Sequence, residues 1–405
     1  MARKEDFENL VFEKLGEGFV FTEGPVWFEK EGYLLFSDID GDAIRRWAPE
    51  RGVEIFRAPS NEPNGSARDK QGRFLSCEHK LRGISRTEAD GTVTPLITHY
   101  QGKRLNSPND VIVKSDGKIY FTDPCSGITD YDGNFIVEPD LDFCGVYMFD
   151  DETKQLTLLT KSVVKPNGLA FSPDEKILYV DDTNTYHIHA FDVKEDGTLE
   201  NDRIIADAIG GDNSRPELVG GPDGMKVDSE GNLYVAGEGN VIYVISPKGE
   251  HITMIPSPNG EFTSNFTWGD DDRKTLYICA SSELYRVRMP IAGCRTTFVD
   301  YPEEDLMPEH WGYMNDKAPE LLTQVFDTFD ALDAYPALTA REQQLITFAM
   351  MVAAGKKEAM GNHAGFALEE GTTEDQLFGV ALIALSMLGV PAYSEAIQAI
   401  LKTRE

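Results

Sequence analysis

Six carboxylate or carboxamide side chains occupy one place in a recurring phrase. They are Glu23 in TEGPVW, Asn64 in EPNGSARD, Asn109 in SPNDVIVKSD, Asn167 in KPNGLAFSPD, Asp223 in GPDGMKVDSE and Asn265 in TSNFTWGDDD. A single Asn or Asp ahead of a strand reads as an ordinary Asx-turn residue. Six in register read differently, because a repeat carries equivalent positions to equivalent places. Glu23 and Asp223 supply charge where the other four are neutral amides. Two carboxylates with one or two amide oxygens suit a hard divalent cation with water in its open positions.

Each phrase is followed by an apolar strand: GYLLFSD, GRFLSCE, GKIYFTD, KILYVDD, GNLYVAG and KTLYICA, beginning at residues 32, 72, 117, 176, 231 and 274. A β-rich unit repeated every ~40–60 residues, with Gly- or Asp-rich turns, is the signature of a propeller. Six units predict six blades, with the six oxygen-bearing residues around one axial channel. The segment 11–21, VFEKLGEGFVF, is expected to complete the last blade and close the ring, which removes exposed sheet edges. The texture changes near residue 312. Apolar residues then recur at helical spacing, as in Leu321, Leu322, Val325, Phe326 and Phe329. Thr339 and Thr373 read as helix caps, and Gly355 and Gly389-Val390-Pro391 as stops. The expected fold is therefore multidomain: an all-β six-bladed propeller over 1–303, an acidic linker over 304–312 and an all-α helical domain over 313–405.

The chain of 405 residues carries a net charge of −31. That excludes generic nucleic-acid binding, which needs a basic footprint, and argues against an anionic membrane surface. No apolar run is long enough for a membrane helix, and MARKEDFENL has no secretory pattern. Five cysteines without CxxC spacing suit a reducing cytoplasm.

The phrases EGP (23–25), SPNDV (107–111), FTDP (121–124), KPNGLAFSPD (165–174) and GPDGMKVD (221–228) together resemble the senescence-marker-protein/gluconolactonase (regucalcin-like) family of six-bladed propellers. The resemblance covers about 15–300. It implies one axial divalent metal held by Glu23, Asn167 and Asp223, with Ca²⁺ the first choice and Zn²⁺, Mg²⁺ or Mn²⁺ the others. It also implies that Asn109 faces substrate and that the reaction is hydrolysis of a small-molecule lactone. A lactone is an ester, so its hydrolysis needs a polarised carbonyl and an activated water; a metal supplies both. Asp223 is the candidate general base. No GxSxG is present. Asn64 is a further substrate-binding candidate on the ring. His79, at the end of its strand phrase, is a candidate substrate-binding residue at the channel mouth, or else hydrogen-bonds a neighbouring blade; Asp123, in the corresponding place, is a candidate pocket residue. Arg104 would bind a substrate carboxylate or be a plain surface charge. The excursion 125–143 reads as a lid over the ring mouth or as a surface loop.

The last 90 or so residues resemble the carboxymuconolactone decarboxylase/alkylhydroperoxidase-D-like family, through LTAREQQLITFA (338–349) and the stretch from His363 to Ile397. Where redox members carry two cysteines, this chain has Lys356 and Ala359, which excludes their thiol chemistry. His363 remains as a candidate acid/base, and the family's Glu reads here as Gln344. Such domains commonly build homo-oligomers. Val380, Leu382, Ile383, Leu385, Met387 and Leu388 are more apolar than one covered face needs. The leading expectation is a metal-dependent lactonase whose tail oligomerises; a variant is a two-step enzyme whose tail decarboxylates a carboxylated lactone before the propeller opens the ring. The alternatives are a non-catalytic Ca²⁺-binding or protein-interaction propeller, and hydrolysis of another ester.

Overall fold

The structure, a computed structural model, describes residues 3–130, 132–207, 221–237, 239–296, 298–299, 339–354, 357–388, 396–398 and 400. The chain divides into two compact units, Met1–Tyr301 and Pro302–Glu405.

The first unit holds six four-stranded antiparallel sheets, the blades of a propeller. Their first strands are Thr22–Phe28, Pro63–Arg68, Val111–Val113, Pro166–Phe171, Met225–Val227 and Thr263–Gly269. Each pairs with a strand of the expected apolar phrase: Tyr33–Asp38, Phe74–Glu78, Ile119–Asp123, Ile177–Asp182, Leu233–Gly237 and Thr275–Ala280. These second strands are buried almost throughout, because both faces pack on neighbouring blades. Outer strands, such as Leu199–Ala206, are largely exposed. This gradient of burial explains why the second strands are near-continuous apolar runs. Gly32, Gly72, Gly117 and Gly231 enter them with φ of 67°, 78°, 91° and 86°, the left-handed conformation that the turn needs.

The ring closes as expected. Phe12–Glu17 is the outer strand of the sixth blade, with Phe12 opposite Val287 and Glu17 opposite Glu283. Hydroxyl groups also latch one blade to the next. Ser37 Oγ donates to the Asn64 carbonyl at 2.6 Å, Thr122 Oγ1 to that of Asn167 at 2.7 Å, and Thr183 Oγ1 to that of Pro222 at 2.8 Å. Ser264 Oγ donates to the Thr22 carbonyl at 2.6 Å and joins the last blade to the first.

The second unit shows helices α1 (Ala340–Ala354), α2 (Lys357–Glu369) and α3 (Glu374–Leu388). Both expected caps form capping boxes. The Thr339 amide donates to Glu342 Oε2 at 2.8 Å, and the Glu342 amide to Thr339 Oγ1 at 3.3 Å. Thr373 and Gln376 repeat the arrangement at 2.9 and 3.3 Å. Phe348, Val352, Met360, Ala364, Ala367, Leu377 and Ala381 form the core. Among the described residues, no helix is long and apolar enough to cross a membrane. The expected linker, the apolar stretch 321–329, Gly355, Lys356, 389–391 and the side chains of Ala359, Leu382, Ile383, Leu385, Met387 and Leu388 lie outside the described residues.

Candidate functional site

The six repeated residues stand where the inner strands begin, and the chain forces them together. The residue after four of them is glycine: Gly24, Gly65, Gly168 and Gly224. A Cβ on Gly24 would lie 2.0 Å from the Asn64 carbonyl oxygen, on Gly65 2.5 Å from that of Asn109, and on Gly168 2.2 Å from that of Asp223. On Gly224 it would lie 2.3 Å from Asn265 Cγ. Each glycine thus lets its blade touch the ring residue of the next. Backbone bonds run the same way, from Gly65 N to the Asn109 carbonyl at 2.7 Å and from Gly224 N to that of Ser264 at 2.8 Å. The circuit ends where Asn265 Nδ2 donates to Glu23 Oε2 at 2.9 Å.

Around this axis the charge is unbalanced. Glu23 is 3% exposed, Asp110 3% and Asp181 0%, and Asp223 is half-buried. Among the described residues, the buried ammonium against these four carboxylates is Lys226, 8% exposed, which donates to Asn265 Oδ1 at 3.1 Å and lies 3.7 Å from Asp110 Oδ2; half-buried Lys165 also acts on Asp223. Neither oxygen of Asp181 accepts a well-formed hydrogen bond, and neither does Asp110 Oδ2. Burial, then Asp223 and Asp110, pushes the Glu23 carboxyl well above its ordinary range. Burial and the same two neighbours do so for Asp181. Burial raises Asp223 to about 7 against the pull of the Asn167 amide. Buried carboxylates without partners cost several kcal/mol each, about as much as a removed ion-pair partner. A divalent cation would offset that cost, so the donor set of Glu23, Asn167 and Asp223 fits one. Among the described residues, no three acidic, histidine or cysteine side chains form a ready cage by themselves. A cation here would therefore take amide oxygens as well.

The expected substrate-facing residues fall into two groups. Asn64 and Asn109 are on the ring, both nearly buried. Asn64 Nδ2 stands 3.1 Å from His79 Nε2. Burial holds the His79 pKa down to about 4, so at neutral pH the imidazole is uncharged, and in the tautomer protonated on Nδ1 its Nε2 accepts from the amide. A Cβ on Gly127, in the excursion, would lie 2.3 Å from His79 Cγ, so the excursion packs on this histidine. Asp123 and Arg104 each make a backbone contact, and Asp123 Oδ1 is left without a well-formed hydrogen bond. Asp123 is fully buried, and its Oδ2 accepts from the Asn106 amide at 2.9 Å. It anchors the loop entering its own blade, as Asp38 does for Val20 and Phe21 and Asp182 for Val164 and Lys165. Arg104 lies in the short hairpin of His99–Tyr100 and Lys103–Arg104 and donates through Nη2 to the Leu81 carbonyl. Beyond its 3-10 turn, Ser126–Ile128, the excursion exposes Phe135, Ile136 and Val137.

Three residues at the site escaped the sequence reading: Asp110, Asp181 and Lys226. Asp181 was the most accessible of them. The second strands place Ser37, Cys77, Thr122, Asp181, Ala236 and Cys279 at one position, and only one of those six is charged.

In the helical unit His363 is half-buried, and its Nδ1 lies 3.0 Å from Gln344 Oε1. Burial lowers its pKa.

Comparison with known proteins places residues 21–282 in the SMP-30/gluconolactonase/LRE-like region and residues 319–402 in the carboxymuconolactone decarboxylase family. The gluconolactonase of Zymomonas mobilis is 33% identical over 289 residues, which cover 67% of this chain and 80% of that one. A solved gluconolactonase structure from Xanthomonas campestris is 34% identical, with a TM-score of 0.63, covering 71% of this chain and 91% of that one. The calcium-binding regucalcin of Agrobacterium tumefaciens is 16% identical with a TM-score of 0.58, covering 72% and 98%, a likeness of fold.

Proposed function

The chain belongs to the SMP-30/gluconolactonase/LRE-like family, and we propose that its propeller hydrolyses a polyhydroxylated lactone with a divalent cation, Ca²⁺ first, at Glu23, Asn167 and Asp223. The observation that carries this reading is the axial excess of buried carboxylates over ammonium groups, with both oxygens of Asp181 left without a well-formed hydrogen bond. The gluconolactonase relatives supply the substrate class.

Bound there, such a cation supplies a Lewis acid for the lactone carbonyl and lowers the pKa of water. The rest falls to the chain. Asp223, half-buried, takes the proton from the attacking water at a carboxylate oxygen. Uncharged His79 occupies Asn64 Nδ2 and so leaves Oδ1 to accept from a substrate hydroxyl. Asn109, whose carbonyl is fixed by Gly65, presents its amide beside it. Lys226 offsets one negative charge and fixes Asn265, which in turn fixes Glu23.

The helical unit is proposed to assemble copies of this chain. A second, decarboxylating activity there would run through His363, whose neutral partner Gln344 fixes the ring without adding charge.

The test is a panel of aldonolactones and aromatic lactones assayed with and without chelator, beside Asp223→Asn and a metal analysis of both proteins. Loss of bound cation and a fall of ~100-fold or more in kcat/KM are expected for the variant. Full occupancy with full activity would overturn the reading. A cation-loaded wild type that turns over no lactone would leave a non-catalytic binding propeller.

A further inference from the structure

Two thiols meet at the neck of the excursion. Cys125 caps the Ser126–Ile128 turn, and Cys144 directly precedes the strand Gly145–Asp150. The Cys144 thiol donates to Cys125 Sγ at 3.8 Å, and both are free and half-buried. The neck is held from below. Asn106 Nδ2 donates to the Phe143 carbonyl at 2.9 Å and to that of Asp123 at 3.3 Å. Ser107 Oγ donates to the Pro124 carbonyl at 2.7 Å and accepts from the Gly127 amide at 2.9 Å. The two sulfurs are thus brought close by contacts that do not involve them. A disulfide needs them at about 2.05 Å, a closure of under ~2 Å.

We propose that Cys125 and Cys144 are a redox-modification site, a dithiol that exchanges with a low-molecular-weight disulfide to form an internal bond across the neck of the 125–144 excursion. Cys125 is the attacking thiol. The hydrogen bond from Cys144 lowers its pKa, opposed by burial and by Asp123, and a larger thiolate fraction speeds exchange. Cys144 is raised by the same pairing and by burial, so it keeps its proton while Cys125 attacks; capping of Cys125 removes the pairing and frees Cys144 to resolve. The Cys125 thiolate attacks one sulfur of the small disulfide and releases one thiolate. Cys144 then gives up its proton and attacks Cys125 Sγ, expelling the second. Two protein thiols are oxidised and one disulfide is reduced to two thiols. The other cysteines do not offer this chemistry: Cys77 and Cys279 are fully buried, and burial raises both. Cys294 is half-buried with its pKa also raised. The bond would tie both ends of the segment that packs on His79 through Gly127, but the inference does not rest on the lactonase reading.

The test treats the full-length protein with oxidised glutathione under exclusion of oxygen, then maps peptides by mass spectrometry. The expected result is a linked Cys125–Cys144 peptide, lighter by two hydrogens and free of glutathione. Cys144→Ser is expected to keep one glutathione on Cys125, because the resolving thiol is gone. Cys125→Ser is expected to leave Cys144 unmodified. Circular dichroism of each variant confirms that it folds. The proposal is overturned if both cysteines stay free in the wild type, or if wild-type Cys125 keeps glutathione as Cys144→Ser does.

Discussion

Asn265 Nδ2 donates to Glu23 Oε2 at 2.9 Å, although 242 residues separate them in the chain. The same amide accepts through Oδ1 from Lys226 Nζ at 3.1 Å and from the Phe266 amide at 2.9 Å. One buried side chain therefore closes the ring, orients a candidate metal ligand and satisfies the axial ammonium. Its two ends do different work, so an apolar residue of similar size removes both at once.

Asn265→Leu is expected to leave Glu23 and Lys226 without this partner. Each unsatisfied buried polar group costs about 1–3 kcal/mol, so the midpoint of urea unfolding should fall. Cation affinity should drop by ~10-fold or more, because the carboxylate that holds the ion is no longer oriented. Isothermal titration with Ca²⁺ reads the second effect apart from the first. Unchanged affinity would show that Glu23 is positioned by its own backbone.

Asp181 gives the opposite pair of signs. It stands where other blades carry small residues, and its oxygens are orphaned. Asp181→Ser installs the residue of the first blade, Ser37. Without cation the variant is expected to be more stable than the wild type by about 1–3 kcal/mol, since a buried carboxyl without a partner is gone. With saturating cation the advantage should shrink or reverse, since the carboxylate then attracts the ion. Denaturant melts of both proteins, with chelator and with Ca²⁺, test this. A variant less stable than wild type under both conditions would make Asp181 an ordinary structural residue.

The axial carboxylates also fix the pH dependence of the cation-free protein. Their folded pKa values are raised: Asp223 from 3.8 to about 7, Glu23 and Asp181 well above their ordinary values. A raised folded pKa means that the folded state holds the proton more tightly than the unfolded chain. Its contribution to stability is full below the unfolded pKa and is lost as pH rises through the folded one. With chelator present, stability should therefore fall as pH rises from about 4 through about 7. A bound cation replaces those protons, so chelation should lower Tm several degrees more at about pH 8 than at about pH 5.5. His79 acts in the opposite direction. Its folded pKa of about 4 lies below the ordinary 6.5, so its contribution is lost as pH falls through that window. Repeating the scan with His79→Gln separates the two. A chelator effect independent of pH would remove the carboxylates as the cation's ligands.

The ring was legible because a propeller repeats its grammar. Six phrases in register identify six equivalent positions, and closure by the 12–17 strand follows from the count. The chemistry of the strand-end carboxylates was less legible. Asp38, Asp123 and Asp182 have the position of pocket residues, but each turns at least one oxygen back to a backbone amide of its own entering loop. That direction depends on the loop, which the repeat does not encode. The Cys125–Cys144 contact was not legible at all. It depends on Asn106 drawing together two ends that the excursion separates.

The same closure predicts what the propeller does by itself. Every strand of its six sheets, including the one that completes the last blade, lies between Phe12 and Arg288. Its ring residues, latches and axial charges also lie within Met1–Tyr301. A chain ending at Tyr301 therefore keeps every contact described for the cation site. It is expected to fold, bind Ca²⁺ with wild-type affinity and retain lactonase kcat/KM within ~3-fold, because no ring residue is lost. The proposed assembly through the helical unit predicts a different outcome for mass. Light scattering should find the full-length protein oligomeric and the shortened one monomeric. A shortened chain that still assembles would place the interface on the propeller. One that is folded and monomeric but inactive would show that the helical unit contributes to catalysis.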